Sequence, residues 1–326
     1  MIEGHGDDLC GLWDIKMNFS SNIIPTNGLE ELEEHLRRHL GLISHYPPPA
    51  ATDLEQLLAK EYDVKEQEVM VTSGATDAIY LIAQTFRDEH TFKVFPPTFS
   101  EYEDACRIFG YEEQPDGAVC WICNPNNPTG EVVSNDFISR LSVKHKWVVV
   151  DQSYEDYTME ETMSPQEAIS LGNVIQLRSL TKTYAIPGLR LGFVTAPEYV
   201  IRQLRAQFRP WAVNTLAVEA GKWLINNHIS IISDLKGYLQ QTQELRERLL
   251  QIEGIDVLPT KTHFMLCTVH PHEASELKDY LIRNHHILIR DASNFRGLTN
   301  HHFRIATQLE TENEALVSAI QTFQQM

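Results

Sequence analysis

Residues 174–197 read VIQLRSLTKTYAIPGLRLGFVTAP. One apolar run leads in and a second, from Leu191 to Val194, leads out. Between them stand hydroxyls, a Pro-Gly turn, the lone lysine Lys182 and Arg190. Short apolar runs bounded by turn residues read as buried strands. A lysine taken at random is a surface residue. One set where two core strands meet needs a reason, and the chain on either side supplies it.

Working outward, short apolar runs alternate with helical patterns from residue 69 to 195. EVMVTS, TFKVFP, AVCWICN, WVVVDQSY, NVIQLRS and RLGFVTA read as strands, with helices in ATDAIYLIAQTF, SEYEDACRIFG and SNDFISRLSVKH. The alternation predicts an α/β domain with a mostly parallel sheet. Ligands then bind beyond the C-terminal ends of the strands. After Trp211 the pattern changes: one long helical stretch over residues 213–252 is expected. Strands follow in HFMLCTV, HILIRD and HHFRIAT, with helices in EASELKDYLIRN and ENEALVSAIQTFQ. The expected organisation is an N-terminal arm and helix (1–45), a large domain (46–226) and a smaller α+β domain (227–326).

Composition narrows the function. The chain has 326 residues, 42% hydrophobic, with a formal net charge of -18. Such an acidic balance argues against a nucleic-acid or anionic-membrane surface, and no apolar run approaches membrane-spanning length. The opening MIEGHGDDLCGLWD carries acids and glycines where a signal peptide has lysines and an apolar block, so a cytoplasmic location is expected. Five cysteines are too few for a disulfide framework. Cys120 and Cys123 form a C-x-x-C inside a buried-strand pattern, with no second pair to complete a zinc site. His35 and His39 lie four apart in ELEEHLRRHLG, a spacing that can bind metal on one helical face. The charges around them favour a solvated face, and no metal is expected.

Each strand of the large domain ends in a polar cluster. VMVTSGATD passes through Gly74, Ala75 and Thr76 into a helix, where backbone N–H groups and the helix dipole suit a phosphate. Neither G-x-G-x-x-G nor G-x-x-x-x-G-K-[ST] is present, which excludes the dinucleotide and P-loop readings. CNPNNPTGE makes a rigid turn whose asparagines can face a ligand. Asp151 ends the apolar run that begins at Trp147, and a carboxylate so placed needs a cation or a strong donor. Tyr154 is within reach of the same pocket. Lys182 itself is flanked by Ser179 and Thr181, with Arg190 eight residues on. A desolvated lysine amine can form a Schiff base, while hydroxyls and an arginine bind a phosphate dianion. A ligand with a phosphate, a carbonyl for Lys182 and a basic ring nitrogen for Asp151 is pyridoxal 5'-phosphate.

With these motifs in this order, nearly the whole chain resembles the fold-type-I pyridoxal-phosphate enzymes of the aspartate aminotransferase superfamily. The resemblance implies that Lys182 holds the cofactor covalently. It also implies that Ser179, Arg190 and the Gly74-Ala75-Thr76 turn bind the cofactor's phosphate. By the same resemblance Asp151 pairs with the ring nitrogen, Asn127 and Tyr154 bond the ring hydroxyl, and Phe99 in PPTFSEY stacks on the ring. Arg304, in HHFRIAT, matches an arginine that grips substrate carboxylates. Tyr46, in HYPPP, matches a tyrosine that reaches the neighbouring subunit's cofactor, which implies a homodimer. Relatives read Tyr-Pro-Asp where this chain reads Tyr-Pro-Pro.

Two branches of the superfamily compete, the histidinol-phosphate aminotransferases and the threonine-phosphate decarboxylases of cobalamin synthesis. GHGDD, MNFSSNIIP, RPWAVNTLAVEAG and LIRDASNFRGL look more like the decarboxylases. From these stretches come the candidate substrate residues His5, Asn22, Asn214, Arg290 and Asn294. Each, taken singly, reads as loop capping or surface charge. Arg290 and Arg296 flank DASNF, and with His5 they suggest a cationic pocket for a phosphorylated amino acid or amine. A cofactor-binding gene regulator would need an added basic DNA-binding segment, which this acidic chain does not present.

Overall fold

The computed structural model describes residues 14–25 and 29–326. Its larger sheet has seven strands, in the spatial order Val69–Thr72, Gly192–Thr195, Val174–Arg178, Trp147–Asp151, Val119–Cys123, Thr91–Lys93, Glu112–Glu113. Gly192–Thr195 alone runs against the rest. The three central strands VIQLR, WVVVD and VCWIC are buried at every position. They read as unbroken apolar runs because both faces of the sheet are covered. On one face lie the helices Gly74–Thr85, Glu101–Ile108 and Glu198–Gln207, around Met70, Ile79, Trp121, Val149 and Leu177. On the other, Asn135–Lys144 and Pro165–Ser170 close over Ile122, Val148 and Val150.

The second sheet is antiparallel throughout, in the order Arg290–Asp291, His302–Ala306, Phe264–Val269, Ile255–Val257. The helices Leu235–Leu249, Ala274–His285 and Glu310–Gln324 back it through Leu245, Leu277 and Leu316.

Two sequence expectations fail here. The helix expected over 213–252 is two helices, Thr215–Asn226 and Leu235–Leu249, each with its own side-chain N-cap, Asn214 and Asp234. The break falls in Asn227-His228-Ile229-Ser230, where His228 takes φ +49°. Asparagine and serine compete for backbone hydrogen bonds and favour such breaks. HILIRD is also split: Ile287–Leu288 pairs in parallel with Met17–Asn18, while Arg290–Asp291 pairs with His302–Ala306. The N-terminal arm therefore reaches the small sheet, and Phe19 O accepts from Ala306 N at 2.8 Å. The arm's helix, Glu30–Arg38, packs instead on Thr215–Asn226. Among the described residues no helix is long and apolar enough to cross a membrane.

Candidate active site

A cleft of about 330 Å³ opens where the C-terminal ends of the central strands meet the N-terminal arm. Lys182 stands in the single helical turn Leu180–Thr183, directly after the strand Val174–Arg178. Its Nζ donates to Ser21 O at 2.9 Å and lies 5.9 Å from the Tyr154 ring centre. The turn is held from behind, because Tyr157 Oη donates to Lys182 O at 2.7 Å.

Asp151 ends its strand with the carboxylate turned into the cleft wall and buried. Tyr102 Oη donates to Oδ2 at 2.7 Å and Ser153 N to Oδ1 at 2.9 Å. Burial pushes its pKa up, and the hydrogen bonds from Ser153 and Tyr102 pull it back. A charged carboxylate here pays a desolvation cost that a ring cation placed against it would offset. Burial also pushes the Tyr102 phenol well above its ordinary pKa, so it remains a donor. Phe99 meets Tyr102 edge-on at 5.6 Å, and Tyr102 stacks on Trp121 at 5.4 Å. The aromatic wall and the carboxylate's donor are thus one unit.

Opposite, the helix Gly74–Thr85 begins at the cleft, with Ala75 and Thr76 lining it. Gly74 takes φ +83°, and a Cβ there would stand 2.9 Å from Arg190 Nη2. The guanidinium therefore lies against the bare backbone of a helix N-terminus. Ser179 and Thr181 line the same end. Converging hydroxyls, a guanidinium and N–H groups at the positive end of a helix can hold a phosphate dianion.

At the other end Arg304 is enclosed, and desolvation lowers its pKa to about 10. Its guanidinium donates to two neutral oxygens, Asn127 Oδ1 and Ser20 O. Its Nε has no partner among the described residues. A buried cation satisfied, among the described residues, only by neutral acceptors can take an anionic ligand. Asn22 Nδ2 reaches Tyr154 Oη at 3.4 Å, and burial raises that phenol to about 12. A smaller depression continues past Phe99, Asn127 and Arg304 to Arg290, Asn294 and Phe295. There Arg290 Nη2 donates to Asn294 Oδ1 at 2.7 Å, and desolvation brings the Arg290 pKa down to about 10.

The structure thus brings Ala75, Thr76, Phe99, Asn127, Asp151, Tyr154, Ser179, Lys182, Arg190 and Arg304 into one cleft, with Gly74 beneath Arg190 and Asn22 behind Tyr154. Among the other candidates, Asn214 and Arg296 need correction. Asn214 does not line the cleft; its side chain caps Thr215–Asn226 and donates to Leu189 O at 2.9 Å. Arg296 is no free phosphate donor, since Glu113 and Glu103 both pair with it, Glu113 Oε1 at 2.8 Å. Tyr46 is 88% exposed, against Trp211 and away from the cleft of its own chain. His5 lies outside the described residues. Cys120 and Cys123 face opposite sides of the sheet, in separate cores, and burial raises both thiols to about 12. Sequence reading missed Tyr102, Ser153 and Ser21. The Tyr in PPTFSEY carried the only available signal for the first, three residues after Phe99 on the coming helix.

A family model described as aminotransferase class I and II matches residues 14–320. The fold is similar to that of an L-threonine-O-3-phosphate decarboxylase from Porphyromonas gingivalis, with a TM-score of 0.90 and 36% identity over 95% of this chain and 100% of that one. In sequence the chain is 26% identical to a threonine-phosphate decarboxylase of Salmonella typhimurium, covering 94% of this chain and 91% of that protein. It is also 29% identical to a histidinol-phosphate aminotransferase of Hydrogenobaculum, covering 86% and 85% respectively. A family match of that extent, over a cleft suited at once to a phosphate and to a ring cation, makes the chain a member of the class I and II aminotransferase family, and with it a fold-type-I enzyme dependent on pyridoxal phosphate.

Proposed function

We propose that this enzyme decarboxylates O-phospho-L-threonine, releasing carbon dioxide and leaving (R)-1-aminopropan-2-yl phosphate, a step of cobalamin synthesis. The observation that carries the reading is a pair of buried arginines, Arg304 and Arg290, in neighbouring depressions that share Phe99 and Asn127. O-Phosphothreonine has two anionic groups, a carboxylate and a phosphate, to meet them. Histidinol phosphate has only one. The similarity to threonine-phosphate decarboxylases supports the same reading.

When bound, the cofactor would supply an electron sink for whichever bond at the substrate's Cα is broken. In this proposal the chain's own residues decide which bond that is. Arg304 would grip the substrate carboxylate. Arg290, oriented by Asn294, anchors the phosphate and so fixes the substrate's rotation. Asp151 would keep the ring nitrogen charged, Arg190, Ser179 and the Gly74–Thr76 turn would hold the cofactor phosphate, and Asn127 and Tyr154 would bind the ring hydroxyl. Lys182 Nζ returns the proton that replaces the lost carboxylate.

The second reading, transamination of the histidinol-phosphate type, is favoured by relatives such as the Hydrogenobaculum enzyme. Both reactions use the same cofactor residues and differ only in substrate orientation. Carbon dioxide release from O-phosphothreonine, measured beside 2-oxoglutarate-dependent transamination of histidinol phosphate, separates them. Arg290→Gln should then lower kcat/KM for O-phosphothreonine about tenfold to a hundredfold, the loss of a charge-assisted hydrogen bond of roughly 1.5–3 kcal/mol. Rapid transamination without carbon dioxide would overturn the decarboxylase reading.

A further inference from the structure

Outside the cleft, the helix Glu30–Arg38 carries His35, and His39 follows as its C-cap. The helix Thr215–Asn226 packs across them and brings Glu219 to both rings. Glu219 Oε1 is 2.9 Å from His35 Nε2 and 4.0 Å from His39 Nε2. One ligand atom from each of the three residues lies within 4.8 Å of the other two. We propose that His35, His39 and Glu219 form a binding site for a divalent transition-metal ion of the zinc type, clamping the N-terminal helix to the helix Thr215–Asn226.

The geometry supports this beyond mere proximity. Zinc bonds of about 2.0–2.1 Å in a tetrahedron set neighbouring donors roughly 3.3 Å apart, so small side-chain rotations bring all three within range. His39 Nδ1 lies 2.8 Å from His35 O. A carbonyl only accepts, so Nδ1 carries the hydrogen, and in the neutral ring Nε2 then presents its lone pair towards Glu219. A ligating imidazole needs that tautomer, held by that kind of backbone contact. The His39 ring also packs against that of His35, with centroids 4.2 Å apart, which holds both imidazoles on the side of Glu219. On metal binding, the hydrogen that His35 Nε2 now shares with Glu219 moves to Nδ1, and the metal takes its place.

Lys222 Nζ sits 3.4 Å from Glu219 Oε2, which leaves Oε1 as the single ligating oxygen. Glu30, Glu31 and Glu34 rim the depression that holds His35 and Trp223, where Arg37 and Arg38 both pair with Glu34. The side chains are 20% (His35), 40% (His39) and 17% (Glu219) exposed, so an open face remains for a water as fourth ligand. Glu219 is invisible to sequence reading as a partner of the histidines, because 180 residues separate it from His39.

Zinc chloride titrated calorimetrically into EDTA-washed holoenzyme, in phosphate-free buffer, should bind at one ion per chain and raise Tm. His39→Gln and Glu219→Gln should each weaken that binding by about tenfold or more, at least the loss seen on removing an outer-shell partner. His272→Gln, which alters a different His–Glu pair, should bind as the wild type does. If His39→Gln fails to fold, Glu219→Asp serves instead, since it keeps the charge while withdrawing the ligand. Wild-type protein without one-to-one binding would overturn the proposal. Zinc affinity unchanged in the folded variants, or lost in His272→Gln, would overturn it equally.

Discussion

Ser153 and Tyr102 together let Asp151 stay charged inside an apolar wall, and Tyr102 is the donor from a separate element. Its hydroxyl donates at 2.7 Å to a carboxylate whose pKa burial raises. A hydrogen bond to the charged form holds the pKa down, so its removal lets the pKa rise further. Tyr102→Phe should therefore move the acidic limb of the kcat/KM profile to higher pH. At the optimum it should cost roughly tenfold to a hundredfold, the worth of a charge-assisted bond of about 1.5–3 kcal/mol. The whole pH profile must be measured, because simple loss of packing would lower activity without moving the limb. Asp151→Ala should be more severe still. An effect below about tenfold, ~1.4 kcal/mol, would reduce the carboxylate to a support for its loop.

At the scale of elements, the decisive junction is the start of the helix Gly74–Thr85. Its first residue combines φ +83° with the close approach of Arg190 Nη2, so two separate demands exclude a side chain. A Cβ at such a backbone costs about 1–2 kcal/mol. It would also push the flexible end of Arg190 away from the anion site. Gly74→Ala should then weaken binding of pyridoxal phosphate to the apoenzyme by about tenfold or more, through loss of an arginine–phosphate contact. Titration followed by visible absorbance measures this directly, and unchanged affinity would mean that Arg190 does not serve the phosphate. Glycine at this turn was legible in SGATD as a helix start. That it makes room for a guanidinium from more than a hundred residues away was not.

On the scale of the whole molecule, exposed apolar side chains gather in one place on the surface. Leu40, Ile43 and Tyr46 are exposed within one short segment, and Trp211 packs beside Tyr46. We expect a two-fold homodimer in which Tyr46 reaches the partner's cleft, since it is exposed and does not line the cleft of its own chain. Mixing Lys182→Ala protein with Tyr46→Phe protein should restore part of the activity each lacks alone, because one cleft of the hybrid keeps both residues. A monomeric active enzyme, shown by its solution mass, would contradict this.

Local pattern by itself determined the parallel sheet and the positions of its polar ends. Fully buried strands must read as unbroken apolar runs, and a lysine, an aspartate or a glycine interrupting such a run stands at the edge where ligands bind. Thus Lys182, Asp151 and the Gly74 turn were legible, as was a cofactor with a phosphate and a ring cation. Helix limits were less legible: residues 213–252 keep a helical pattern on both sides of a turn-forming segment, and only packing shows that two capped helices meet there. Partners distant in sequence were not legible at all. The Tyr102–Asp151 bond, the pairing of Arg296 with Glu113 and Glu103, and the approach of Glu219 to His35 and His39 all depend on side chains brought together from separate elements. Residue type and spacing encode what one element presents to its surroundings; which other side chain neutralises, caps or completes it is decided only when the elements pack.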